Sequence, residues 1–114
     1  MISKGVKSIF PIKNQDIWDR YKQHIQAFWT TEEVSLQDDL RDLETLNEGE
    51  KHFIKHVLAY FANSEAMINE NLASRFYKEI LIPEARCFIS MQMLNESIHA
   101  EMYGLQIEAY VKDQ

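Results

Sequence analysis

The stretch Glu96-Ser97-Ile98-His99-Ala100-Glu101-Met102-Tyr103 lies inside a long apolar segment that begins after Ile82. Pro83 suits the first turn of a helix, and no later proline interrupts the pattern. The sequence therefore predicts a long helix over about 83–112. One stripe of this helix holds Ala85, Ile89, Gln92, Glu96, His99, Tyr103, Ile107 and Tyr110. The other sides carry Leu94, Ile98 and Leu105, so the helix is apolar nearly all round and is expected to be interior.

Glu96 and His99 are the two residues of that stripe whose side chains can carry a charge near neutral pH. An ionised carboxylate in a protein core costs several kcal/mol unless something compensates it, and a metal cation compensates well. Residues three apart are neighbours on one helix face, so a carboxylate oxygen and an imidazole nitrogen can reach one ion. The same Glu-x-x-His arrangement is known to bind metal in ferritin-like di-iron and di-manganese proteins, and by analogy it suggests a metal site in this chain.

A second long helix is predicted over about 46–77. It should start near Thr45 or Asn47, and Thr45-Leu46-Asn47-Glu48 has the spacing of a capping box. Its apolar stripe contains a single charge, Glu65, among Ile54, Leu58, Phe61, Leu72 and Phe76. Two such helices, joined by Ile80-Leu81-Ile82, are expected to form an antiparallel hairpin. Glu65, Glu96 and His99 would then supply oxygen and nitrogen ligands, which suit iron or manganese.

Composition restricts the remaining possibilities. The 114 residues are enough for one domain, 1–114, and contain 3 Gly and 2 Pro, which favours an all-α chain. Residues 1–12 are expected to be extended, and a shorter helix is predicted over about 14–28. The net charge of −6 argues against nucleic acid and anionic membranes as partners. No apolar run has the length of a signal-peptide core or a membrane span, so a soluble, cytoplasmic protein is expected.

Each candidate ligand also has an ordinary structural explanation. A Glu-x-x-His sequence arises by chance in many chains, and His99 alone could be a hydrogen-bonded core histidine. Glu65 could pair with Lys55 or Arg75, and Tyr103 could simply pack with its hydroxyl satisfied. The conjunction favours a metal site, because two uncompensated carboxylates, a histidine and a tyrosine fall on two otherwise apolar faces.

Several ordered segments resemble the small, radical-carrying subunit of class I ribonucleotide reductases, in its eukaryotic and viral form. They are Phe28-Trp29-Thr30-Thr31-Glu32-Glu33-Val34, Asn69-Glu70-Asn71-Leu72, Pro83-Glu84-Ala85-Arg86-Cys87-Phe88 and Glu96-Ser97-Ile98-His99-Ala100-Glu101-Met102-Tyr103. The resemblance extends over essentially the whole chain, from Phe10 to Asp113. It implies a ferritin-like helical bundle, of which this chain would be an N-terminal part.

The resemblance implies a dinuclear metal centre in which Glu96 bridges two ions and His99 is a terminal ligand. Glu65 stands where the family usually has Asp, and it would be a third ligand. Family members with a manganese–iron centre also have Glu there, but they lack the radical tyrosine, whereas this chain keeps Tyr103. A di-iron centre is therefore favoured, with manganese–iron and di-manganese as alternatives.

The resemblance also assigns a radical function to two aromatic residues. Tyr103 matches the tyrosine that is oxidised to a stable radical, and Trp29 matches the tryptophan on the route of the radical to the large catalytic subunit. Glu33 matches an acidic residue near the interface with that subunit. The large subunit would use the radical to make deoxyribonucleotides from ribonucleoside diphosphates for DNA replication.

The chain holds three of the six protein ligands that such sites use, because a second Glu and a second Glu-x-x-His are absent from residues 1–114. A second small-subunit fragment could complete the site, or two copies could form a homodimeric four-helix protein with one shared centre. A non-catalytic paralogue or structural fragment would keep the fold without the chemistry. A ligand-binding oxidase on the same fold is a further alternative, which Trp29 disfavours.

Overall fold

The computed structural model describes residues 8–111, and the expectations for residues 1–7 and for Lys112 lie outside that range. The helices are α1 Gln15–Gln26, α2 Gln37–Glu44, α3 Glu48–Asn71, α4 Tyr77–Glu79 and α5 Pro83–Val111, with a 3₁₀ turn at Thr31–Glu33 and a π turn at Leu72–Phe76. No strand occurs among the described residues. The chain divides into two compact units, 8–28 with 70–95 and 29–69 with 96–111.

Aromatic and apolar contacts organise the first unit. Trp18 of α1 lies against Phe10 and Tyr21, with ring centroids 5.8 and 5.1 Å away. The His24 ring meets Phe88 of α5 edge-on at 4.9 Å. Leu72, Ile89 and Met91 are the buried hydrophobic residues of this unit. The amphipathic α1 is thus packed through its aromatic side onto the first half of α5.

In the second unit, α3 and the second half of α5 run antiparallel. Phe61 stacks with Tyr103, Glu65 faces His99, and Asn69 is hydrogen-bonded to Ser97. The residue numbers of these pairs rise along α3 while they fall along α5, which is the pairing expected of the predicted antiparallel hairpin. The hydroxyl of Tyr110 donates to Asp39 Oδ2 at 3.0 Å, which ties α2 to the end of α5.

The start of α3 differs from the capping box predicted at Thr45-Leu46-Asn47-Glu48. Asn47 and Glu50 exchange the two capping hydrogen bonds, each 2.9 Å long. The Thr45 hydroxyl donates instead to the carbonyl of Asp42 at 2.6 Å, at the end of α2. The sequence left Thr45 and Asn47 as alternative starts because both suit the N-cap and both have Glu three residues later, and the structure has the cap at Asn47.

The π turn at Leu72–Phe76 interrupts the single stripe predicted for the long helix over 46–77. A π turn takes one residue more per hydrogen-bonded ring than an α-helix, so later side chains are rotated around the axis. Leu72 is buried, whereas Phe76 is 52% exposed. Phe76 therefore does not continue the buried face, and the assumption of an uninterrupted α-helix was wrong at this point.

Many large apolar side chains remain exposed. On α3, Phe53, Tyr60 and Met67 are 68%, 70% and 59% exposed and recur every seven residues. On α5, Leu94 and Leu105 are 44% and 39% exposed, so the helix expected to be interior is covered only in part. None of the helices within residues 8–111 combines the length and the hydropathy that crossing a bilayer requires.

Glu84, in the first turn of α5, is the most deeply buried charged residue described. Its side chain is 2% exposed, and Oε2 accepts hydrogen bonds of 2.8 Å from the backbone N–H groups of Lys13 and Asn14. The Asn14 N–H, then the N–H of Glu84 itself, lower the pKa of this carboxyl from about 4.5 to about 2, against burial, which raises it. The carboxylate thereby fixes the start of α1 to the start of α5.

A pH dependence follows from this contact. Because the folded pKa of Glu84 is depressed, its stabilising contribution is fully present above about pH 4.5 and is lost as the pH falls towards about 2. We expect Glu84→Gln to lower stability at neutral pH, with the difference from the wild type narrowing in that acidic window. Urea unfolding followed by circular dichroism at a series of pH values measures this. Glu79→Gln, an exposed change in the same unit, is the control and should show no such window.

Candidate metal centre

Three side chains of the second unit converge between α3 and α5. Glu65 lies near the middle of α3, and Glu96 and His99 lie one turn apart on α5. One ligand atom from each of the three falls within 4.8 Å of the other two. The antiparallel packing of the two helices thus brings the three predicted ligands to one place.

The spacing of these atoms suits a shared ion better than direct hydrogen bonds. His99 Nδ1 lies 3.7 Å from Glu65 Oε1 and 3.9 Å from Glu96 Oε2. Both separations exceed a hydrogen bond. Metal–ligand bonds of about 2.1 Å to nitrogen and oxygen would put two ligands of one ion roughly 3 to 4 Å apart. The His99 nitrogen therefore stands at coordination spacing from an oxygen of each carboxylate.

The electrostatics of the cluster also call for a cation. The Glu65 and Glu96 side chains are 15% and 14% exposed, so two carboxylates are largely removed from water. Glu65 Oε2 is buried and has no hydrogen-bond partner among the described residues. A buried oxygen left unpaired is costly, and a metal ion would satisfy it. The residues present thus fit a metal with oxygen and nitrogen ligands.

Tyr103, one turn beyond His99 on α5, packs against an aromatic residue of α3. Its ring stacks on Phe61, with the centroids 5.6 Å apart and the planes at 21°. Tyr103 is half-buried, and Phe61 is 44% exposed. The predicted radical tyrosine therefore lies on the same face of α5 as Glu96 and His99, the two candidate ligands of that helix.

Trp29, which precedes the 3₁₀ turn, also reaches the cluster. Its ring lies over the imidazole of His99, with a centroid separation of 6.1 Å and an interplanar angle of 29°. Trp29 is half-buried. All five predicted site residues therefore belong to one unit, and His99 is the residue in contact with both Trp29 and the two carboxylates.

Asn69 was not identified from the sequence. It lies one turn after Glu65 on α3, and its Nδ2 donates to Ser97 Oγ at 3.0 Å. Its Oδ1 is buried and, like Glu65 Oε2, lacks a hydrogen-bond partner among the described residues. The spacing of four residues from Glu65 is the one sequence signal that could have pointed to it.

The turn after Trp29 holds two further interactions that the sequence analysis missed. The hydroxyl of Thr31 donates to Glu101 Oε1 of α5 at 2.6 Å. Glu33, expected near a subunit interface, accepts the backbone N–H of Thr30 at 2.6 Å in a capping box. The Thr30-x-x-Glu33 spacing could have predicted the cap. Thr31 and Glu101 are 70 residues apart, and no local pattern links them.

Comparison with known proteins gives one consistent result. The profile of the family described as "Ribonucleotide reductase, small chain" matches residues 6–114. The chain is 55% identical, over 92% of its length, to the ribonucleoside-diphosphate reductase small chain of Swinepox virus (strain Kasza), of which it covers 38%. It is 52% identical, over 94% of its length, to the protein of that name from Plasmodium falciparum (isolate Dd2), of which it covers 31%.

A solved structure agrees with the sequence relatives. The ribonucleotide reductase Rnr4 homodimer from Saccharomyces cerevisiae matches 96% of this chain with a TM-score of 0.86 and 32% identity, and the match covers 35% of that chain. The predicted all-α, ferritin-like fold and the viral and eukaryotic type are thereby confirmed. The chain spans about a third of the length of the curated relatives it matches. It belongs to the ribonucleotide reductase small-chain family.

Proposed function

We propose that this chain forms half of the dinuclear metal site of a ribonucleoside-diphosphate reductase small subunit, and that it carries the tyrosine converted to a radical there. The observation that carries the proposal is the convergence of Glu65, Glu96 and His99, with Glu65 Oε2 buried and unpaired. In this proposal Glu96 bridges two ions, His99 is a terminal ligand and Glu65 is the third ligand. Carboxylate and imidazole ligands favour iron, with manganese–iron or di-manganese as alternatives.

Tyr103 is the proposed site of the radical. When bound, the metal centre would supply the oxidation, with dioxygen as the oxidant, that removes one electron and the phenolic proton from Tyr103. The task of the chain is to keep the resulting radical away from water and reductants. The stacked Phe61 ring shields one face of Tyr103, which supports this role.

Trp29 is the proposed link to the large catalytic subunit. Its ring lies against His99, and His99 touches the carboxylates, so the three form a continuous line of contacts from the ligands to the indole. A large subunit that docks beside Trp29 would give up an electron along this line to the oxidised Tyr103, so that the radical passes to the large subunit. It would then reduce ribonucleoside diphosphates to deoxyribonucleotides.

The remaining ligands of the site are proposed to come from protein outside residues 1–114. They would be supplied by further small-subunit sequence or, in the alternative assembly, by a second copy of this chain. The exposed stripe of Phe53, Tyr60 and Met67 on α3 supports coverage by further protein. Native mass measurement with metal analysis distinguishes the two, since two metal ions per dimer of this chain alone would favour the homodimer.

Reconstitution tests the proposed function directly. The full natural polypeptide, together with any separate completing fragment, is loaded with ferrous iron under argon and then exposed to oxygen. We expect about two iron atoms per site and a tyrosyl signal in electron paramagnetic resonance. A protein that binds iron and consumes oxygen but never forms the signal would contradict the radical function. A protein that binds no metal would contradict the site itself.

A further inference from the structure

Thr31 is one of two buried polar or charged residues in the described part of the chain, and it lies next to the proposed radical route. Its side chain is 5% exposed, in a turn whose neighbours Glu32 and Glu33 are both exposed. The Thr31 hydroxyl has one proton and two carboxylate oxygens within reach. Glu101 Oε1 is at 2.6 Å and Glu32 Oε2 at 3.4 Å, so the proton is donated to Glu101. A length of 2.6 Å is typical of a charge-assisted hydrogen bond.

The turn that carries Thr31 is closed by its own hydrogen bonds. Glu33 Oε2 accepts the backbone N–H of Thr30 at 2.6 Å, and the N–H of Glu33 donates back to the Thr30 carbonyl at 3.1 Å. The N–H of Val34 donates to the Thr31 carbonyl at 3.1 Å. Because the turn is closed by these bonds, a contact that fixes Thr31 also fixes the direction in which the chain enters the turn from Trp29.

The two ends of this short segment hold α5 at two different points. Trp29 lies over His99, and Thr31 is bonded to Glu101. Side chains two residues apart on a helix point about 200° apart around its axis. The segment therefore contacts α5 on two sides, and neither contact alone would stop it from pivoting about the other. The Trp29–His99 and Thr31–Glu101 contacts together place both ends of the segment against α5.

We propose that the Thr31–Glu101 hydrogen bond is a latch that holds the Trp29 indole against His99, which makes Thr31 and Glu101 positioning residues for the radical route. The inference rests on the proposed function. Thr31 and Glu101 touch neither the metal ligands nor Tyr103 in the hydrogen bonds and ring contacts of the described residues. Breaking the latch should therefore affect passage of the radical and leave its formation intact.

The test uses Thr31→Val in the full natural polypeptide, which removes the donor and keeps the shape. We expect turnover with the large subunit to fall about tenfold. A change of this size corresponds to the free energy of one hydrogen bond to a charged group. The tyrosyl radical per site should be unchanged. The fluorescence of Trp29, obtained by subtracting a Trp29→Phe counterpart, should become more open to acrylamide quenching. Thr31→Ser should restore both properties, and Thr45→Val, a change at the exposed threonine directly after α2, should change neither.

Glu101→Ala removes the acceptor of the same hydrogen bond. Because Glu101 is exposed, this variant replaces Thr31→Val in the test if Thr31→Val impairs folding. Unchanged turnover and unchanged Trp29 quenching in a folded latch variant would overturn the inference. Loss of the radical in the latch variants would also overturn it, because the bond would then act on the metal site. If the wild type forms no radical, the proposed function fails instead, and the Trp29 quenching still decides whether the latch holds the indole.

Discussion

Tyr103→Phe is expected to abolish the tyrosyl signal of the reconstituted protein completely while its metal content stays the same. Phenylalanine lacks the phenolic proton that accompanies the electron, so a ring at this position cannot form the neutral radical. The change removes one hydroxyl from a half-buried ring that stacks on Phe61, so the packing between α3 and α5 is retained. Electron paramagnetic resonance and metal analysis on the same sample provide the two measurements.

Tyr60→Phe is the matched control, because Tyr60 lies on α3, is 70% exposed and contacts Phe61 rather than the ligands. It should keep the full signal. A signal that survives in Tyr103→Phe would place the radical on another residue. Loss of metal in the same variant would mean that Tyr103 supports the site itself, and its assigned role would then be wrong.

Glu96→Ala and His99→Ala are each expected to weaken metal binding by about 100-fold or more, since removing even the outer partners of metal ligands costs about 10–100-fold. Each change deletes one of three proposed ligands, which have ligand atoms within 4.8 Å of one another. Glu96→Ala should have the larger effect on the number of ions bound, because Glu96 is the residue proposed to be shared by the two ions. Titration with ferrous iron under argon, with binding followed by metal analysis after gel filtration, gives the affinity.

Glu108→Ala and His52→Ala are the controls for these two changes. Both residues are exposed, lie on α5 and α3 respectively, and are outside the cluster. Their variants should bind iron like the wild type. Unchanged iron content in both Glu96→Ala and His99→Ala would show that the ion binds elsewhere, and circular dichroism of each variant excludes unfolding as the cause of any loss.

The sequence predicted the helices and the ligand cluster because both depend on short-range periodicity. The stripe of α5 and the lone charge of α3 follow from residues three or four apart, and the antiparallel hairpin then brings Glu65 to Glu96 and His99. The predicted end of the first helix, about 28, and its observed end at Gln26 differ by the usual fraying of a helix end.

The features that could not be predicted depend on contacts between distant residues or on small energy differences. The Thr31–Glu101 bond joins residues 70 apart, and the burial of Glu84 depends on backbone N–H groups 70 and 71 residues away. Asn47 rather than Thr45 caps α3, although both residue types suit an N-cap and differ little in capping free energy. The π turn at Leu72–Phe76 has no proline or glycine to announce it.

His99 keeps 40% of its side chain exposed beside two carboxylates that are largely enclosed. An ion held by these three residues would have coordination positions left for ligands from another segment. Metal binding and binding of that segment are then thermodynamically linked. If the segment raises the affinity for the metal by some factor, bound metal raises the affinity for the segment by the same factor. In the proposed assembly, metal supply would thus set the fraction of chains that have the second segment bound.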